Sequence, residues 1–330
     1  MKIQKGYGCA FGGGTIVNAI ATWSGCAYAT EMKTYAEVLL HEEKTSRRIV
    51  GSVFENEKTN PHLIELCVQF VLEELDCSKK ASVLTRSEIP IAGGLKSSSA
   101  AANACVLAAL DALGETMEPS DIVKLGVRAA KEAGVTITGA FDDACASFYG
   151  GVAVTENKTL TLLKREEFHY DVFVLNPGKA FSSETNVSRS VLMKDLVQIA
   201  FDSAFVGEYK TAMKLNGLIY CGALGFNPEP AVSCMEIGEK FDVVAGLSGT
   251  GPSFTALFPT SDSLGKEQNE ELNVLKEKIK LNWKLQYPNA AVFETKTSNK
   301  NAYEESVRFS KFMKENQTDL KSVNLKNMKF

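Results

Sequence analysis

Apolar positions along the chain switch between two periods, and the switches predict the elements. Residues 35–54 carry strand-like stretches such as Ala36-Glu37-Val38-Leu39-Leu40, with a charged, exposed turn expected at 42–48. Over 61–76, Leu63, Leu66, Val68, Phe70, Val71 and Leu75 fall mostly at helical spacing behind Pro61. A short strand at 81–89 precedes a glycine loop and an Ala-rich run that predicts a helix ending at Gly114, with Ser97, Ser98 and Ser99 as N-cap candidates. Ile122, Val123, Leu125, Val127 and Ala130 predict another helix over 119–134. Strands are expected at 152–155 and 170–175, on either side of a charged turn at 164–167. Residues 189–240 read as largely helical, broken by Pro228 and Pro230. A glycine turn between two strands follows at 247–258, then an amphipathic helix at 271–284. From about Phe312 the chain is polar and Asn/Lys-rich, and a frayed or disordered tail is expected.

Composition narrows the class without naming a function. The 330 residues suffice for one large or two ordinary domains, and composition shifts so little that the boundary near residue 160 is soft. A net charge of −4 gives no support for a nucleic-acid or anionic-membrane partner. No run approaches the about 18 apolar residues of a spanning helix, and the N-terminus shows no signal-peptide pattern. The eight cysteines include no C-x-x-C pair, so free buried thiols in a reducing cytoplasm are expected. The three histidines, His41, His62 and His169, lie far apart in sequence, which disfavours a His-rich metal site or a hydrolase triad.

Candidate chemistry concentrates in two places. Around Gly93-Gly94 the loop feeds a helix N-terminus of small hydroxylated residues, where unpaired N–H groups and a partial positive charge suit phosphate. Serine hydroxyls there could also serve Mg²⁺ as hard oxygen ligands. The loop is not a Walker A, because Leu95 rather than glycine precedes Lys96. A Rossmann fingerprint is nearly suggested by Gly12 and Gly14 but fails at Val17. The second place is Asp142-Asp143, adjacent acids in a small, apolar stretch, costly to bury unless paired or bound. A carboxylate that orients a hydroxyl and accepts its proton suits phosphoryl transfer to an alcohol. Asp142 has a competing reading as an acidic helix cap.

The loop, Pro90-Ile-Ala-Gly-Gly-Leu-Lys-Ser-Ser-Ser-Ala, resembles the second motif of the GHMP kinases, P-x-x-x-G-L-G-S-S-A-A. Lys96 stands where that motif has its third glycine, and with the triple serine this resembles the archaeal-type shikimate kinase branch. Gly14-Thr-Ile-Val-Asn-Ala-Ile-Ala-Thr22 resembles the first motif of the same branch, and Ser248-Gly-Thr-Gly-Pro-Ser253 resembles the third motif of the superfamily. The resemblance implies a two-domain α+β fold: residues 1–160 as a ribosomal-protein-S5-domain-2-like ATP-binding domain and 161–330 as a ferredoxin-like domain.

It also implies residue roles. Pro90, Ala92, Gly93, Gly94, Leu95, Lys96, Ser97, Ser98, Ser99 and Ala100 would bind ATP, with Lys96 near the phosphates. Asp143 would be the base, since the family pattern of Asp, six residues, then Gly runs from Asp143 to Gly150; Asp142 fits only if counted from Gly139. Ser98 and Glu132 would hold Mg²⁺, Glu132 lying eleven residues before Asp143 as in mevalonate kinase-like members. Without the family, Glu132 reads as an ordinary solvent-facing acid. Thr15, Asn18, Thr138, Asp142, Asp143, Gly249, Thr250 and Gly251 would line the acceptor site, with Lys179 and Arg189 as cations for an acceptor carboxylate. The implied reaction converts shikimate and ATP to shikimate 3-phosphate and ADP, toward chorismate and the aromatic amino acids, in a cytoplasmic monomer or homodimer. Three rivals stay open. Homoserine kinase can lack the Asp base, mevalonate kinase carries a first-motif lysine with no counterpart at 8–15, and a silent metabolite sensor could share the fold.

Overall fold

The computed structural model describes residues 4–41, 49–56, 58–90, 93–178, 187–325, 328 and 330. The expected turn at 42–48, together with Ala92 and Lys179, lies outside the described residues.

Two long strands, β1 (Gln4–Val17) and β2 (Ser24–His41), pair antiparallel and carry the N-terminal half. β1 is buried from Gly6 to Val17. A Cβ on Gly6 would lie 2.1 Å from the Ala112 backbone nitrogen, and one on Gly8 2.3 Å from the Ala104 carbonyl oxygen. The glycines therefore let a helix backbone settle directly on the strand, and the same glycines hide the strand from a pattern search. β3 (Ile49–Val53), β4 (Lys80–Ser87), β5 (Val152–Glu156) and β6 (Thr161–Glu166) complete this sheet in the order β3-β4-β2-β5-β6, with β1 also on β2. Four helices pack with it around one core: α1 (His62–Glu74), α2 (Ser97–Leu113), α3 (Pro119–Glu132) and α4 (Phe141–Tyr149).

The second sheet holds β7 (Asp171–Asn176), β8 (Val244–Leu247), β9 (Phe254–Phe258) and β10 (Ala291–Lys296), all antiparallel in the order β10-β7-β9-β8. Between β7 and β8 run α5 (Lys194–Phe205), α6 (Tyr209–Leu224) and α7 (Glu229–Ile237), and α8 (Lys266–Gln286) connects β9 to β10. That is the ferredoxin-like split βαβ plan with three helices in its first crossover. Its core includes the fully buried Trp283, whose indole N–H donates to the Pro230 carbonyl at 2.8 Å.

Several local expectations change. The charged segment at 164–167 is mostly the end of strand β6, whose alternating exposed and half-buried residues give it no apolar face to read. The caps differ too. Lys96 and Ala140, both in the left-handed region, precede α2 and α4, so Ser97–Ser99 and Asp142-Asp143 occupy first turns rather than caps. Sheet membership also departs from a division at residue 160, because β6 pairs with β5 and the C-terminal helix α9 (Ala302–Glu315) packs against β1.

The tail is ordered wherever it is described. Met313 and Leu320 are fully buried beside Tyr7, Tyr35 and Phe309. Glu37 accepts a hydrogen bond from the Leu320 backbone N–H at 2.8 Å, and Arg86 donates to the Leu320 and Val323 carbonyls at 3.2 and 2.5 Å. A few apolar anchors in a polar segment escape a periodicity search yet close one face of the sheet. Leu320→Ala is expected to lower unfolding free energy by about 2–5 kcal/mol, the range for emptying a buried leucine site. Urea denaturation checks it, and a loss under about 0.5 kcal/mol, typical of surface substitutions, would mean the tail is not part of the core.

Candidate active site

The glycine loop after β4 ends at Lys96, held at φ 66° and ψ 25° immediately before α2. Ser97, Ser98 and Ser99 therefore open the helix, and their amides belong to the set with no partner inside it. Gly94 has φ +74°, and a Cβ there would sit 2.2 Å from the Ser248 carbonyl oxygen, so the β8–β9 turn packs directly against the loop. Ser248 Oγ donates to the Gly94 carbonyl at 2.8 Å and accepts from the Thr15 N–H at 3.2 Å. Three stretches remote in sequence thus interlock at one point.

Lys96 turns inward from the loop. Its Nζ lies 2.7 Å from Asp143 Oδ1 and also donates to Thr15 Oγ1, with the lysine side chain 5% exposed and that of Asp143 17%. Thr15 Oγ1 further accepts from the Gly249 N–H at 2.8 Å. Thr15 consequently sits behind the cleft as a bracket for Lys96 and the β8–β9 turn, and does not line it. Asn18 does line it; its Oδ1 accepts from the Ile20 N–H at 3.0 Å and its Nδ2 donates to the Gly249 carbonyl at 2.9 Å.

The cleft has a volume of about 480 Å³. Gly94 and Lys96–Ser99 form the loop side of its wall, Asp142, Asp143 and Thr138 another, and Gly249–Gly251 a third. Of the other residues expected at the nucleotide loop, Leu95 and Ala100 are buried beneath it, Gly93 is buried and Pro90 half-buried. Besides Thr15, two other described residues expected at the acceptor or metal site lie outside the cleft wall. Glu132, at the last residue of α3, is exposed and is not among the wall residues, whereas Ala130 and the 135–138 loop are. Arg189 is exposed in the 3₁₀ segment Val187–Met193 and does not line the cleft either.

The two adjacent aspartates differ in surroundings. Asp142 is 4% exposed, and its Oδ1 accepts from Asn157 Nδ2 at 2.8 Å. Burial first, and the neighbouring Asp143 charge second, push its carboxyl up to about 7. Sequence reasoning missed Asn157, a lone asparagine in a turn that carries no motif. It also missed the apolar lip of Val135 and Ile137, 50% and 59% exposed at the cleft mouth.

Ser98, exposed on the cleft wall, offers a hard hydroxyl oxygen of the kind Mg²⁺ accepts. Among the described residues no group of three or more His, Cys, Asp or Glu side chains could hold a metal alone.

Comparison with known proteins decides the family. Residues 62–151 match the GHMP kinases N-terminal domain. The shikimate kinase of Methanosarcina acetivorans is 50% identical over 299 residues, covering 90% of this chain and 96% of that one. This chain is a GHMP kinase. The shikimate kinase of Halobacterium salinarum is 42% identical over 248 residues, 74% of this GHMP kinase and 85% of its relative. Solved structures agree in fold. Homoserine kinase from Cytophaga hutchinsonii superposes with a TM-score of 0.62 at 15% identity over 89% of this chain and 96% of its own. Lactococcus lactis galactokinase gives 0.65 at 12% identity, over 89% and 94%. The protein is an ATP-dependent phosphotransferase with an alcohol acceptor. No helix among the described residues is long and apolar enough to cross a membrane.

Proposed function

We propose that this kinase phosphorylates shikimate, yielding shikimate 3-phosphate and ADP. The observation that carries the chemistry is the ion pair of Asp143 and Lys96 on the cleft wall, beside the open N-terminus of α2. The choice of acceptor rests on the 50% identity to a shikimate kinase across nearly the whole of both chains.

In this reading the amides of the Gly94–Ser98 loop hold the nucleotide phosphates, where helix geometry leaves donors unpaired. Asp143 accepts the hydrogen bond of the attacking hydroxyl, aims its oxygen at the terminal phosphorus and takes up its proton. The phosphorus–oxygen bond to the acceptor forms as the bond to the ADP oxygen breaks. Lys96 keeps Asp143 in place and sets a fixed positive charge where negative charge shifts during transfer. Ser98 is our candidate protein ligand for Mg²⁺, which would neutralise phosphate charge when bound; Glu132, outside the wall, is not assigned. Asn18 and Thr138 face the acceptor, and Lys179, outside the described residues, is our candidate partner for its carboxylate. All eight cysteines are free and most are buried, which suits a reducing, cytoplasmic setting.

Product analysis tests the assignment. Incubation with MgATP and shikimate is expected to give a single phosphomonoester at the 3-hydroxyl by phosphorus NMR. An ester elsewhere on the ring, or none, would contradict it.

A further inference from the structure

Asp142 and Asp143 share one cation. Lys96 sits 2.7 Å from Asp143 Oδ1, whereas the hydrogen bond to Asp142 comes from a neutral amide, Asn157 Nδ2 at 2.8 Å. Asn157 is itself fully buried and has little freedom to adjust. Its Oδ1 accepts from Thr155 Oγ1 at 2.7 Å, its Nδ2 reaches Thr138 Oγ1 at 3.4 Å, and its backbone N–H donates to the Trp23 carbonyl at 2.7 Å. On the opposite side Asp142 packs so closely on β2 that a Cβ on Gly25 would lie 2.6 Å from its Cγ. The other titratable groups that sense Asp142 are the thiols of Cys26 and Cys145 and the phenol of Tyr220, all pushed up and kept neutral by burial. Two ionised carboxylates here would leave one charge buried without a counterion, an arrangement that neutralisation by a proton relieves.

We propose that Asp142 is a positioning residue that holds a proton at neutral pH, so that Asp143 alone carries the negative charge matched to Lys96. Asn157 fixes Oδ1 as the hydrogen-bond acceptor, leaving the proton to Oδ2. The cluster of Lys96, Asp143 and Asp142 then has no net charge and does not repel anionic nucleotide and acceptor. Burial and the Asp143 charge favour the protonated form, while Asn157 and Lys96 oppose it. The role in catalysis rests on the kinase reading above; the proton itself does not.

A carboxyl whose folded proton affinity exceeds its unfolded one stabilises the fold fully at low pH, and that contribution is lost as pH rises through the folded value, about 7. Asp142→Asn, a neutral isostere, lacks this loss. Its melting temperature minus that of the wild type is therefore expected to grow between about pH 5 and about pH 8.5. Infrared spectra of the substrate-free wild type should show a protonated carboxyl band near neutral pH that fades on the alkaline side and is absent from Asp142→Asn. Asn157→Ala removes a donor to the carboxylate and should move that fade upward by about one pH unit. With substrates, KM for MgATP should rise across the same window in the wild type. A flat melting difference, no band in the wild type, or a downward shift in Asn157→Ala overturns the proposal. The infrared and melting readouts use no substrate, so they stand or fall apart from the acceptor assignment.

Discussion

Asp143→Asn is expected to lower kcat by about 10²–10⁴-fold, the usual worth of a positioned acid–base group. Asparagine keeps the shape of the side chain but cannot take up the hydroxyl proton, and it offers Lys96 no charge. Because the proposed phosphate contacts are the loop amides and not Asp143, KM for ATP should change by no more than a few fold. Steady-state ADP release with unchanged circular dichroism checks the prediction. Retention of more than about a tenth of wild-type kcat, below even the low end of acid–base contributions, would remove Asp143 from the mechanism.

Lys96 carries the second large effect, and its backbone allows a sharper experiment. At φ 66° the residue occupies a conformation glycine adopts without strain, so Lys96→Gly preserves the loop backbone while deleting the whole side chain, ammonium included. Lys96→Met keeps the bulk and deletes the charge. Both are expected to lose about 10²–10³-fold in kcat, the range for removing one preorganised electrostatic stabiliser. The methionine variant should also lose stability, because Asp143 would stay mostly buried with no cation beside it. Equal kinetic losses in the two variants would locate the effect in the charge. Wild-type activity in Lys96→Gly would show that the lysine side chain is dispensable for transfer.

How much of this was legible beforehand depended on whether the signal was local. The Ala-rich helix, its stop at Gly114 and the helix expected over 119–134, which spans Pro119–Glu132, are legible from helix formers, spacing and stop signals, because a helix writes its pattern into contiguous residues. β1 did not, since its glycines exist to admit the α2 backbone, a contact no nearby residue announces. The tail failed for a related reason: Leu320 and Met313 are single anchors whose partners are residues such as Tyr7 and Tyr35, far off in sequence. At the site, the loop and the aspartates were readable as chemistry. That Lys96 would pair with Asp143, or that Thr15 would be spent holding it, was not. Glu132 rests only on counting along a motif, and it lies exposed at the end of α3, apart from the wall residues.

The central claim is that this cleft transfers phosphate to shikimate. The measurement that tests it most directly is ADP release by the purified protein with MgATP and, in separate reactions, shikimate, homoserine and mevalonate, with Asp143→Asn alongside. The account predicts turnover with shikimate alone, lowered by about 10²-fold or more in the variant. Turnover with homoserine or mevalonate and none with shikimate would contradict it.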